Sequence, residues 1–108
     1  MKDLENKAEN KFAKRVEEDD YVALKLNLHG RRGWPDRLVL LTFPHFFFLE
    51  FKREGEEARK LQKYIHKILR GLGYGVWTVD TYEEALEIYE RFKKKARRKE
   101  KSSARKTQ

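Results

Sequence analysis

Cysteine is absent from this 108-residue chain, which excludes disulfides and thiolate metal centres and is compatible with a reducing interior. No apolar run approaches the roughly 18–20 residues that a membrane span needs. The opening Met1-Lys2-Asp3-Leu4-Glu5-Asn6-Lys7 lacks the apolar stretch of a signal peptide. An intracellular protein with no membrane partner is therefore expected. His29, His45 and His66 share no metal-ligand spacing and read as loop or surface residues, so no histidine-based metal site is expected. No segment repeats. With 39% hydrophobic and 41% charged residues, the composition suits one small globular domain with a heavily solvated exterior.

Net charge is also missing from most of the chain. Residues 1–92 hold seventeen basic and seventeen acidic side chains, so the net +8 lies wholly in 93–108, where nine basic residues accompany the single Glu100. A basic arm on a neutral body suits a polyanionic partner such as nucleic acid, or else serves only as a solvated tail. Residues 1–96 are read as the folded domain and 97–108, including Arg97 and Arg98, as a basic disordered tail.

Leu4, Ala8, Phe12 and Val16 recur every fourth residue and predict a helix over 3–18. Residues 21–28 are rich in strand formers, and a loop from His29 to Pro35 follows. Arg37–Phe43 and Phe46–Lys52 read as strands joined at Pro44-His45, both apolar almost throughout, as central strands covered on both faces are. A helix is expected over 57–72, with Ala58, Leu61, Ile65, Ile68, Leu69 and Leu72 as its apolar stripe and Tyr64 as packing. A short strand over 75–79 and a last helix capped by Asp80 or Thr81 complete the order αβββαβα. The expected fold is α/β: a small mixed sheet flanked by helices, strands two and three antiparallel and strand four reached by a helical crossover.

Thirteen residues of mostly apolar sequence separate Gly33-Trp34-Pro35-Asp36 from Glu50-Phe51-Lys52. Successive strand side chains point to opposite faces, so Glu50 and Lys52 share one face with Phe51 turned away. If the two strands pair as a hairpin, Asp36 returns beside Glu50. Two acids and a lysine converging on an apolar element are costly to bury without compensation, and a divalent cation supplies it. A salt bridge between Glu50 and Lys52 along one strand face is the plainer alternative.

Gly33-x-Pro35-Asp36, Glu50-x-Lys52 and the following helical Gln62 together resemble the VRR-NUC (virus-type replication–repair nuclease) family of the PD-(D/E)XK nucleases, over about residues 5–92. The resemblance implies a restriction-endonuclease-like core and a metal-dependent phosphodiesterase. It makes Asp36 and Glu50 the metal ligands with the backbone carbonyl of Phe51, Lys52 the residue that orients water or stabilises developing charge, and Gln62 a neighbour of the site. The first-helix acid of the family would be Glu9, which lies beside the apolar stripe, or Glu5 one turn earlier. Oxygen ligands suit Mg²⁺, with Mn²⁺ able to substitute. Lys25, Arg31, Arg32 and Arg37 lie around the Gly-x-Pro-Asp loop, where they could grip phosphates. Trp34 reads as packing, with stacking on an opened base as the alternative.

The small size implies a structure-selective DNA endonuclease similar to Holliday-junction resolvases, acting on branched DNA as a homodimer, because a four-way junction needs two matched cuts. Its setting would be cytoplasmic or nucleoid-associated, and a virus-encoded origin is compatible with the family. A flap-cutting or restriction-type nuclease is not separable from this by sequence. A non-catalytic nucleic-acid-binding module is disfavoured, because carboxylates beside a phosphodiester repel it unless a metal lies between them.

Overall fold

The fold is organised around its third strand, which is paired on both sides. The computed structural model describes residues 2–27, 30, 32–52 and 60–106. Its elements are α1 (Lys2–Glu18), β1 (Val22–Lys25), β2 (Arg37–Leu40), β3 (Phe46–Phe51), α2 (Lys60–Gly71), β4 (Val76–Val79) and α3 (Tyr82–Lys106). The order αβββαβα is the expected one. Arg31, His29, Leu28 and the anticipated helix start at 57–59, with Ala58, lie outside the described residues.

The strands lie in sequence order, with β1, β2 and β3 antiparallel and β4 parallel to β3. Register divides the side chains into two faces. Ala23, Val39 and Phe47 lie in one cross-strand row, and Lys25, Arg37 and Leu49 in the next row of that face. On the other face Leu24, Leu38 and Phe48 form one row, and Val22, Leu40 and Phe46 another. The first face meets α1 and α3 in the main core, where the fully buried Phe12 packs edge-on against Tyr89, with ring centroids 6.0 Å apart. The second carries α2 and a smaller cluster of Phe48, Leu69 and Val76.

Helix ends follow local chemistry. Tyr21 N–H bonds back to Val16 O and Asp20 N–H to Glu17 O, a closure in which Asp20 takes the positive φ of 65° usually given to glycine. Gly73, at φ 98°, closes α2 in the same way. Thr81 Oγ1 accepts the Glu84 N–H at 3.2 Å and caps α3.

Two expectations are corrected. The stripe of α2 holds in part: Leu69 is buried and Ile65 packs against the smaller cluster, but Leu61, Ile68 and Leu72 are exposed, as is Tyr64, and His66 is buried. The inner line Gln62–His66–Leu69 has helical spacing but is polar over two of its three members, so apolar counting finds only its Leu69 edge. The tail from Arg97 is helical through Lys106. Lys, Arg, Glu and Ala are good helix formers, Ala96 is fully buried, and Glu100 accepts hydrogen bonds from Tyr21 and Thr42.

Candidate active site

Alternation along β3 puts Glu50 on the same face as Phe48, toward α2. Its carboxylate is buried, and Gln62 Nε2, from α2, donates to Glu50 Oε2 at 3.3 Å. Asp36 ends the loop before β2. Its backbone carbonyl accepts the Leu26 N–H, and its Oδ2 accepts the Phe51 N–H at 3.0 Å. The antiparallel β2–β3 pairing therefore brings the two acids together as the spacing predicted. Burial, and next the negative charge of Glu50, push the Asp36 pKa up from 3.8 to about 6, against the pull of the Phe51 N–H.

The site is short of positive charge. Glu50 Oε1 is buried and has no hydrogen-bond partner among the described residues. Buried carboxylate oxygens without partners are rare, because the desolvation cost then goes uncompensated. A divalent cation fits this donor set, and Asp36, Glu50 and the Phe51 backbone carbonyl are the groups that would hold it. Among the described residues no group of three or more Asp, Glu, His or Cys side chains converges. Two carboxylates with water and phosphate oxygens are what Mg²⁺ commonly takes.

No protein-family model matches the sequence. A solved structure described as a VRR_NUC domain superposes with a TM-score of 0.70 at 28% identity, covering 80% of this chain and 94% of that one. The p44 protein of Acyrthosiphon pisum secondary endosymbiont phage 1, whose name assigns it a nuclease role by inference, is 34% identical over 79 residues, 73% of this chain and 85% of the relative. This chain belongs to the VRR-NUC family.

The remaining residues proposed for this VRR-NUC site are placed as follows. Lys52 is exposed just past β3, its N–H held by Val79 O at 2.7 Å. It makes no ion pair with Glu50, so the plain strand-face salt bridge is not formed. Glu9 is buried on the α1 side, where its Oε2 accepts Arg37 Nε at 2.7 Å and Lys25 Nζ at 2.9 Å. Its negative charge still reaches Asp36 and contributes to raising that pKa. The Glu5 side chain lies outside what is described. Arg37, expected to grip phosphate, is instead buried, tied to Glu9 and, through Nη1, to the Ala23 carbonyl at 3.0 Å. Strand alternation turned it inward. Arg32 is exposed near the loop, whereas Arg97 and Arg98 lie on α3. Arg97 sits over the Tyr21 ring, whose hydroxyl shares Glu100 with Thr42, at the end of the sheet opposite Asp36.

His66 is the residue that sequence reasoning missed. It is 5% exposed, and its Nε2 stands 3.8 Å from Glu50 Oε1, too far for a hydrogen bond and with no other partner among the described residues. The available signal was its i, i+4 relation to Gln62, which puts both on one helix face.

The raised Asp36 pKa has a direct consequence for stability. A group protonated more readily in the folded state stabilises fully below its unfolded pKa, near 4, and loses that contribution as pH rises through about 6. Asp36→Asn is therefore expected to raise the melting temperature of chelator-treated protein at pH 7.5 and to leave it nearly unchanged at pH 3.5. Thermal unfolding at the two pH values checks this. Equal effects at both would show that Asp36 charge carries no cost.

Proposed function

We propose that this protein is a Mg²⁺-dependent, structure-selective DNA endonuclease that hydrolyses phosphodiester bonds. The observation carrying this reading is the part-buried Asp36 next to the buried Glu50, whose Oε1 is orphaned and whose Oε2 accepts from Gln62. Asp36, Glu50 and the Phe51 carbonyl would hold the ion, with Mn²⁺ able to replace it. When bound, the ion supplies Lewis-acid stabilisation of charge on the phosphoryl oxygens and a lowered water pKa. Gln62 holds the Glu50 carboxylate in one orientation. Lys52, flexible and solvated, is free to orient the attacking water and to stabilise charge that grows in the transition state. Glu9, clamped by Arg37 and Lys25, is held on the α1 side, and its charge is one of the causes that raise the Asp36 pKa.

The favoured substrate is branched DNA cut by a homodimer, as in Holliday-junction resolvases. Two-fold symmetry would match two sites to two strands. The sheet face toward α2 leaves Val22, Leu24 and Leu40 exposed, with Phe43 84% exposed beyond β2. Apolar surface of this kind suits a second copy of the chain. The phage relative is consistent with a virus-encoded enzyme, and among the described residues no helix is long and apolar enough to cross a membrane. Labelled duplex, flap, splayed-arm and four-way-junction DNA, incubated with Mg²⁺, Mn²⁺ or chelator, tests the proposal. Metal-dependent cutting that favours branched substrates is expected. Cutting in chelator, or none on any substrate, would refute it.

The basic half of α3 should add affinity without choosing the cut. Arg97, Arg98 and Lys101 are exposed, and Arg97 marks the end of the sheet away from Asp36. Replacing all three by Gln is expected to flatten the log–log salt dependence of DNA binding by about 2–3 units if each neutralises one phosphate. Cleavage positions should not move. An unchanged slope, read by anisotropy titrations across salt, would remove this helix from the interface.

A further inference from the structure

A cleft of about 540 Å³ opens between the loop that precedes Asp36 and helix α2, lined by Gly30, Arg32, Trp34, Leu61 and Ile65. Its size falls within the range of small-ligand pockets. Three observations define its chemistry. The walls are an indole and two aliphatic side chains, with one guanidinium and, among the described lining residues, no carboxylate. Trp34 is only partly buried, fixed by an edge-on contact with Phe48 at 6.3 Å, and Leu61 is 44% exposed, so both retain apolar surface that the core does not use. The loop is also held tightly on the helix: a Cβ at Gly33 would lie 2.9 Å from Leu61 Cγ and 3.0 Å from its carbonyl oxygen. Loop and helix thus meet in direct contact at one edge of the cleft.

Its position relative to the acids decides what it could hold. Trp34 lies two residues before Asp36, while Leu61 and Ile65 directly precede Gln62 and His66, the two α2 residues that face Glu50. A strand whose phosphate reached Asp36 and Glu50 would carry its neighbouring nucleotide past this opening. We propose that the cleft is a subsite for one unpaired nucleobase next to the scissile phosphate, stacked on Trp34 between Leu61 and Ile65, with Arg32 on the adjoining phosphate. A base in a duplex is already stacked and paired, and extracting it costs a few kcal/mol. The subsite therefore selects DNA with single-stranded character at the cut, such as splayed arms, flaps and opened branch points. This inference rests on the nuclease reading and narrows its substrate class.

The chain has two tryptophans, so Trp77→Phe leaves Trp34 as the sole indole reporter. That full-length variant is titrated, with Ca²⁺ in place of Mg²⁺, with single-stranded and splayed-arm oligonucleotides in which an abasic residue is moved one position at a time. Quenching of Trp34 is expected with the intact strands, and is lost at one abasic position, where Kd rises about 5- to 150-fold. In the wild-type chain, 2-aminopurine at that same position should change its emission on binding, which keeps the test valid if Trp77→Phe folds poorly. Leu61→Ser, an exposed wall residue, should weaken binding of the intact strand and not of the abasic one. Equal quenching at every abasic position, or the same quenching by blunt duplex, would overturn the subsite. Cleavage in Mg²⁺, measured in parallel, separates the two ideas. A cutter indifferent to the abasic scan sinks the subsite alone, whereas position-dependent quenching without cleavage sinks the nuclease reading.

Discussion

Asp36→Asn and Glu50→Gln are each expected to lower turnover by about 10³-fold or more while leaving DNA binding intact or tighter. Losing one preorganised electrostatic contact to a transition state costs about 10²–10³ in rate, and these acids are the only side chains proposed to ligate the ion. Each replacement keeps size and removes one negative charge. The two differ in what the free protein gains. Asn at 36 can still accept the Phe51 N–H, now without repulsion from Glu50. Gln at 50 puts an amide where Oε1 has no partner and where the His66 ring is 3.8 Å away. Single-turnover cleavage with saturating enzyme, alongside anisotropy binding, separates chemistry from affinity. Undiminished turnover by either variant would refute its assignment as a ligand.

Lys52→Ala is expected to reduce single-turnover rate by about 10²-fold with a change in Kd of less than about threefold. Its proposed contact strengthens only as charge develops, so the loss belongs to kcat and not to ground-state binding. Its exposure and freedom from an ion pair with Glu50 mean that the substitution breaks no structural contact among the described residues. Stability should therefore stay within about 0.5 kcal/mol of wild type. Lys52→Arg tests shape: a guanidinium restores charge but not the compact ammonium, so partial rescue is expected. Lost binding with normal chemistry would make Lys52 a phosphate anchor instead.

The assignments most legible in the sequence depended on short-range rules. Thirteen residues between Asp36 and Glu50 are enough for two strands and a turn, and strand alternation alone turned Glu50 away from the face that Phe51 takes. The capping threonine, the glycine after α2 and the order of elements are equally local. Arg37 shows where such rules stop. It is as basic as Arg32 and lies next to Asp36, yet strand register turns it to the α1 face, where Glu9 waits. Nothing within a few residues of Arg37 announces Glu9, which is 28 positions away.

The inner face of α2 was obscured for a related reason. Hydrophobic periodicity finds the side of a helix that seeks oil, and here the inward side includes Gln62 and His66 because it meets a buried carboxylate. The exposed Leu61 and Ile68 then shifted the stripe away from the inner line, of which it kept only Leu69. The extent of α3 was also decided at a distance: Glu100 is held by Tyr21 and Thr42, 79 and 58 residues away, in a segment whose composition alone reads as a solvated tail.

By itself the sequence determined the element order, the hairpin that pairs Asp36 with Glu50, and the family, since backbone sterics, side-chain alternation and motif spacing act between near neighbours. Only the tertiary structure decided that Arg37 and Glu9 pair inside, that His66 is buried 3.8 Å from Glu50, and that a cleft opens beside Trp34. Those outcomes depend on which faces are pressed together, and the energies that press them there come from burial of residues far apart in the chain.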